Sequence, residues 1–374
     1  MSREFFLDLA KARLAFPIGA DLVLKEYKDH NEILRDGVRL GHVIAEAARR
    51  FKTPLAVPVM DLMLEKALML RSLGIPEDQI PTWHFSSCPT DEQLKTIREK
   101  IHGPLDPRLK ANIDAISFTV KNTDLVPVGM GIGPFSLMTK LLADPITPVY
   151  MAGTGLTAEN DPEVKTIETL MELAVEIILH SFKAQAKAGA KAFFIAEPAA
   201  NKVYISPNQM KQGSDIFERM VLKYLRQIKA ELDNAGVDLI FHCCGELTED
   251  MLKGFVSLKP AMMSLGSSRK LWEDAAIVSK DIVLYGNLPS KKFFSDDAIT
   301  KAEVRRTALE LHEKMKSTGH PFILGTECDV LSVDCCHKTI MSKAMAIVDY
   351  NRSSSETDNL IFPAADKKSV IASA

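Results

Sequence analysis

Short runs of four to seven apolar residues recur along the chain, and between them lie longer stretches whose apolar positions repeat every three or four residues. The runs are Leu55–Met60, Leu125–Gly131, Ala192–Ala196, Val237–Phe241, Ala261–Leu265, Ile282–Gly286 and Phe322–Gly325. Runs this short, without polar alternation, predict strands buried on both faces of a parallel sheet. The intervening stretches Pro162–Ala188, Ile216–Asn234 and Ala302–Ser317 have helical spacing, and each stops at a glycine (Gly189, Gly236, Gly319) just before the next run. Helix, glycine, short apolar strand is the order expected of βαβ units with right-handed crossovers. Seven such strands, with room for an eighth, predict an α/β fold: a (β/α)8 TIM-type barrel with an N-terminal helical extension. A doubly wound open sheet is the competing layout. Residues 1–50, helical over Phe5–Arg13 and Gly37–Arg50, are expected to cap one end of the barrel. Residues 51–350 form the barrel itself, with an excursion over Pro76–Arg108, and residues 351–374 form a polar tail. Gly129, Gly131 and Gly133 follow an apolar run with GxGxG spacing. That spacing differs from the dinucleotide GxGxxG pattern, so a close backbone turn is predicted there.

Composition narrows the class but not the chemistry. Hydrophobic residues make up 46% of the 374 positions and charged residues 25%, which excludes a fibrous or largely disordered chain. The balance of 46 basic and 49 acidic residues, net −3, carries no electrostatic footprint of nucleic-acid binding. The N-terminal stretch MSREFFLDLAKARLAF is broken by charge every few residues, unlike a signal peptide, and no apolar run is long enough to span a bilayer. The six cysteines include two adjacent pairs, Cys243–Cys244 and Cys335–Cys336, a poor disulfide framework. A reducing, cytoplasmic location is therefore expected, with thiols available as ligands or nucleophiles and with neither nucleic acid nor membrane as partner.

The stretch VDLIFHCCGE at positions 237–246 holds the most informative chemistry. Side chains alternate along a strand, so His242 and Cys244 point one way and Cys243 the other. In a parallel barrel the C-terminal strand ends form the active face. A second strand end, FILGTECD at 322–329, supplies Cys328. One imidazole and two thiolates suit a soft or borderline metal, and three protein ligands leave a fourth position open, the form of a catalytic zinc site. Lone buried His and Cys residues are also ordinary core residues, the competing interpretation. Cys335-Cys336-His337 is a rival cluster, but it opens a helical stretch where neighbours diverge by about 100°, so packing is the expected role.

With these motifs in view, the chain resembles the uroporphyrinogen decarboxylase superfamily. The His-x-Cys-Gly at a strand end, the GNLPS at Gly286–Ser290 and the later Gly-x-x-Cys resemble most closely its zinc-dependent cobamide (corrinoid) methyltransferases, such as methylcobamide:coenzyme M methyltransferase and the methyl-transferring O-demethylase components. The resemblance spans roughly residues 125–348. It implies that His242, Cys244 and Cys328 bind zinc, that a separate corrinoid protein is the partner, and that a methyl group moves between that corrinoid and a small methoxylated aromatic, methylamine or thiol. The zinc would activate the substrate heteroatom. The chain carries no Asp-x-His-x-x-Gly corrinoid motif of its own. True uroporphyrinogen decarboxylases need no such triad and carry an MRQAGR-type arginine motif. Here Arg13, Arg35 and Arg39 are isolated, and a metal-free decarboxylase is the alternative activity. The Glu-Cys-Asp-Val-Leu around Cys328 departs from the Gly-Cys-rich run of the methyltransferases and leaves the substrate open.

Further polar residues lie at expected strand ends. Glu197 and Asp61 are candidates for acid–base work and Asn287 for substrate binding. The two carboxylates equally suit helix capping. Glu246 and Glu327 flank the ligands and are expected to support His242 from behind.

Overall fold

The computed structural model describes residues 3–103 and 105–350; the polar tail expected over 351–374 lies outside them. Seven parallel strands form one sheet in sequential order. They are β1 (Leu55–Ala56), β2 (Val126–Ile132), β3 (Ala192–Ala196), β4 (Asp238–Cys243), β5 (Met262–Leu265), β6 (Val283–Leu288) and β7 (Phe322–Thr326). Sequential parallel order with a helix in each long crossover is the arrangement of a TIM-type α/β barrel. An open doubly wound sheet would reverse its strand order partway, and this one does not.

Each apolar run becomes a strand close to its expected bounds. The exception is β1, which pairs with β2 only at Leu55 and Ala56. Pro58 has no N–H to donate and ends the ladder early. β2 extends beyond its expected end to Ile132, so Gly129 and Gly131 lie within the strand and not in a turn. The long crossover helices are Pro162–Lys187 and Lys301–Thr318. Asp161 caps the first by accepting from the Glu163 and Val164 amides. The second has a Thr300–Glu303 capping box and ends at Gly319, whose φ of 60° suits a residue without Cβ. A turn of π-helix, Glu218–Leu222, runs into the helix Lys223–Asn234.

Residues 76–108 are more regular than their composition suggests. They contain the helix Asp91–Lys100, started by a Thr90–Gln93 capping box, and the beginning of the helix Pro107–Asn122. The buried Lys66 ties this excursion to the barrel by donating to the carbonyls of Pro81 and Lys140.

At the far side of β7 the sheet meets the N-terminal residues. The segment after the helix Arg3–Lys11 runs parallel to β7, with bridges Ala15↔Leu324 and Ile18↔Asp329. The Phe16 amide donates to the Leu324 carbonyl at 3.1 Å, and the Tyr285 hydroxyl donates to the Phe16 carbonyl at 2.6 Å. Asp329 links this seam to the chain leaving β1, accepting from the Met60 amide at 3.3 Å. Among the described residues no helix is long and apolar enough to cross a membrane.

Candidate metal centre

β4 carries the first ligand candidate to the C-terminal face of the barrel. His242 is fully buried and sits opposite Ala196 of β3 on one side and Ser264 of β5 on the other. Its Nδ1 lies 2.9 Å from the Ser264 hydroxyl, and its ring tilts over Phe194 at 5.5 Å. Its Nε2 is buried and has no hydrogen-bond partner. An orphaned buried nitrogen is costly unless something else satisfies it. With Nδ1–H donating to Ser264, Nε2 is left with a bare lone pair, the tautomer a metal ligand requires.

One residue past the end of β4, Cys244 points to the same side as His242, as strand alternation predicts. Cys243 points away and is fully buried, its Sγ 3.9 Å from the Ala200 carbonyl. The loop after β5 presses on the Cys244 backbone. A Cβ on Gly266 would stand 2.5 Å from the Cys244 carbonyl oxygen, so only glycine fits. Cys328 arrives from three strands away, on the loop after β7. Its carbonyl accepts from the Thr326 hydroxyl at 2.8 Å and from the Ser290 hydroxyl at 3.4 Å. Thr326 Oγ1 also accepts from the Ile18 amide, so the same side chain anchors the N-terminal segment. As a result, one ligand atom each from His242, Cys244 and Cys328 lie within 4.8 Å of one another. Tetrahedral zinc with bonds of about 2.1–2.3 Å holds its donors about 3.5–3.8 Å apart, within easy reach of this arrangement. Two thiols, one bare imidazole nitrogen and no carboxylate in the set fit zinc by donor chemistry as well.

The electrostatics favour anionic sulfur. The Cys244 thiol is pulled down, first by the hydrogen bond from Cys328, against the opposing effect of burial, with Lys291 adding to the pull. Cys328 is pushed up by that same contact and by burial. The proton is therefore held on Cys328 and the charge on Cys244. Lys291, in the turn after β6, is lowered by burial but raised more by Cys244, Glu327 and Cys328 around it, for a net rise. Glu327 is engaged elsewhere, accepting from the Ser267 hydroxyl at 2.7 Å and the Ser267 amide at 3.2 Å. Glu246 pairs with Lys202 on the surface. Neither glutamate supports His242; Ser264 does. Ser264, Thr326 and Lys291 were missed by the sequence reading. Only Ser264 left a signal, as the one polar residue in the run Ala261–Leu265.

Of the other candidate residues, only Glu197 and Asn287 are shown to bond to the chain that carries this centre. Glu197 is fully buried past the end of β3, and its amide donates to the His242 carbonyl at 2.8 Å. Its carboxylate accepts from the amides of Phe135 (3.1 Å) and Ser136 (2.6 Å) and from the Ser136 hydroxyl. These groups open the helix Pro134–Lys140, so Glu197 caps a helix, although not the one that follows it in sequence. Burial outweighs those bonds and pushes its carboxyl up to about 7. Asp61 accepts from Arg108 at 2.7 Å and from the Met63 amide at 3.0 Å. Asn287 is buried, and its amide donates to the carbonyls of Gly266 and Arg269 at 2.8 and 2.9 Å. Cys335 and Cys336 contact each other through their sulfurs at 2.7 Å, beside a His337 that meets Ser332. They do not join the metal cluster.

A comparison with curated protein sequences finds no match. Among solved structures, the fold is similar to that of a methyltransferase from Methanosarcina mazei, with a TM-score of 0.62 and 16% identity. That match covers 91% of this chain and 94% of the other. The sequence matches the family described as uroporphyrinogen decarboxylase (URO-D) over residues 21–342, nearly the whole barrel, and the chain belongs to that family.

Proposed function

We propose that the protein is a zinc-dependent methyltransferase that moves a methyl group between a corrinoid carried by a partner protein and a small substrate heteroatom, in a methoxylated aromatic, a methylamine or a thiol. The observation that carries this reading is the convergence of His242, Cys244 and Cys328 with the His242 Nε2 buried and bare. The methyltransferase among the structural neighbours supports the fold it needs. Thiolate ligands of this kind suit the reducing cytoplasm.

When bound, zinc supplies a Lewis acid with one open position for the substrate heteroatom. The chain's own residues prepare that position. Ser264 fixes the neutral imidazole with its lone pair forward. Cys244 stands ready as a thiolate, and Cys328 would release the one proton the two sulfurs share to solvent when a metal binds. Lys291 balances the sulfur charge from the side and offers a cation to an anionic substrate, a thiolate above all. Asn287 holds the loop that cradles Cys244, while Glu197 ties the end of β3 to His242 and to the helix Pro134–Lys140.

Metal analysis combined with methyl transfer to or from free methylcobalamin, across a panel of thiols, methylamines and methoxyaromatics, tests the proposal. About one zinc per chain and turnover with one substrate class are expected, and Cys328→Ala is expected to lose both while staying folded. Decarboxylation of a porphyrinogen by metal-free protein would overturn it. Arg35 and Arg39 are committed to surface pairs with Glu77 and Asp29, which does not favour porphyrinogen carboxylates as substrate.

A further inference from the structure

Cys335 and Cys336 lie outside the metal cluster, on the chain that joins β7 to the helix His337–Val348. Neighbours within a helix diverge by about 100°. These two are not helical. Cys336 is the residue before the helix, with φ −130° and ψ 8°, and Cys335 lies in the turn that leads to it. Free of the helical offset, their side chains converge until the sulfurs meet at 2.7 Å. Packing alone does not account for the pair, because Cys335 is exposed and only Cys336 rests against the core. Both are free thiols.

The surroundings give the two sulfurs different roles. Contact with Cys335, and after it partial burial, push the Cys336 thiol up, so Cys336 keeps its proton and the outer sulfur accepts from it. The helix that follows has no acidic residue in its first turn and no side chain bonded to its first amides. Its N-terminal end therefore favours a sulfur anion beside it. The chain between this pair and Cys328 is pinned. The Val330 amide donates to the Ile18 carbonyl at 3.4 Å, and the Ser332 amide donates to Asp21 at 2.6 Å. The Ser332 hydroxyl also meets His337 Nδ1 at 2.8 Å. These anchors keep a change at the two thiols from reaching the metal ligand upstream.

We propose that Cys335 and Cys336 form a reversible dithiol–disulfide site that reacts with small disulfides, distinct from the metal centre and independent of the function proposed above. The Cys335 sulfur, as thiolate, attacks one sulfur of the incoming disulfide, whose S–S bond breaks and releases one thiolate. Cys336 then loses its proton to solvent and attacks the Cys335 sulfur, expelling the second thiolate. Two protein thiols are oxidised to one disulfide, and the reagent is reduced to two thiols that take up the two protons released. Adjacent Cα atoms are about 3.8 Å apart, closer than the roughly 4.4–6.8 Å of ordinary disulfides, so the bond formed is strained and excess thiol reopens it. Cys335 is exposed whereas Cys244 and Cys328 are half-buried, so this pair meets an external disulfide first.

Incubation of the full chain with oxidised glutathione, followed by digestion and peptide mapping by mass spectrometry, tests this. The peptide holding Cys335 and Cys336 is expected to lose two hydrogens and keep no glutathione, before Cys88, Cys244 or Cys328 reacts, and dithiothreitol is expected to restore it. Bound metal, measured alongside, is expected to stay unchanged; the mapping reads the pair whether or not the centre holds zinc. Cys336→Ser is expected to stop with one glutathione held on Cys335. Cys335→Ser, which leaves only the inner sulfur, is expected to react at least about tenfold more slowly. An unreacted pair, a lasting glutathione adduct on Cys335 in the parent chain, a Cys244–Cys328 bond formed first, metal loss with the first oxidation, or equal rates in the two serine variants would each overturn the proposal.

Discussion

His242 commits one ring nitrogen to Ser264 and leaves the other bare in a dry interior. The hydroxyl therefore sets the tautomer on which metal binding depends. Ser264→Ala is expected to lower zinc affinity about 10- to 100-fold while the fold persists, measured by competition with a chromophoric chelator. Retention of full affinity would mean that ring orientation is set by packing against Phe194 alone. A second buried group tests the interior at the same scale. Glu65 is fully buried against Ser181, with Oε2 lacking any partner, and burial pushes it up to about 7. Below its unfolded pKa both states hold the proton and nothing is lost. Between that value and about 7 only the folded state holds it, so stability falls as pH rises, by on the order of 3 kcal/mol in all. Glu65→Gln mimics the protonated form. It is expected to match the parent near pH 4 and to be more stable near pH 8, by denaturant unfolding at each pH.

At the scale of elements, the metal centre is made by loops that hold one another. Asn287 donates to the carbonyls of Gly266 and Arg269, and Gly266 in turn packs on the Cys244 backbone. Asn287→Ala orphans two carbonyls. It is expected to cost about 1–3 kcal/mol in stability and to weaken zinc binding as well. Lost stability with unchanged zinc affinity would separate this loop from the centre. The capped helices behave more locally. Thr300 and Asp161 start the helices around the barrel with side-chain bonds to their first turns, and both signals stand in the sequence.

For the whole molecule, the question is how the sheet ends beyond β7. Phe16 is buried, packs on Tyr285 at 5.4 Å and hydrogen-bonds with both Leu324 and Tyr285. Phe16→Ala is expected to cost about 3–5 kcal/mol. If the N-terminal segment is continuous with the barrel, the variant unfolds in one transition with an unchanged denaturant slope. A separate early transition would show that residues 1–50 fold as a unit apart.

The sequence by itself determined the strands, their order and the main helices, because helical stretches that stop at a glycine before a short apolar run leave little choice of secondary structure and sequential βα units leave little choice of topology. It also placed His242 and Cys244 on one side of a strand end, since side-chain alternation is local geometry. Tertiary structure alone decided the rest. Strand register brought Ser264 beside His242, barrel curvature carried Cys328 across three strands to Cys244, and helix packing turned Glu197 toward the amides of a helix it does not precede. These are contacts between residues tens of positions apart, and no periodicity along the chain encodes such distances.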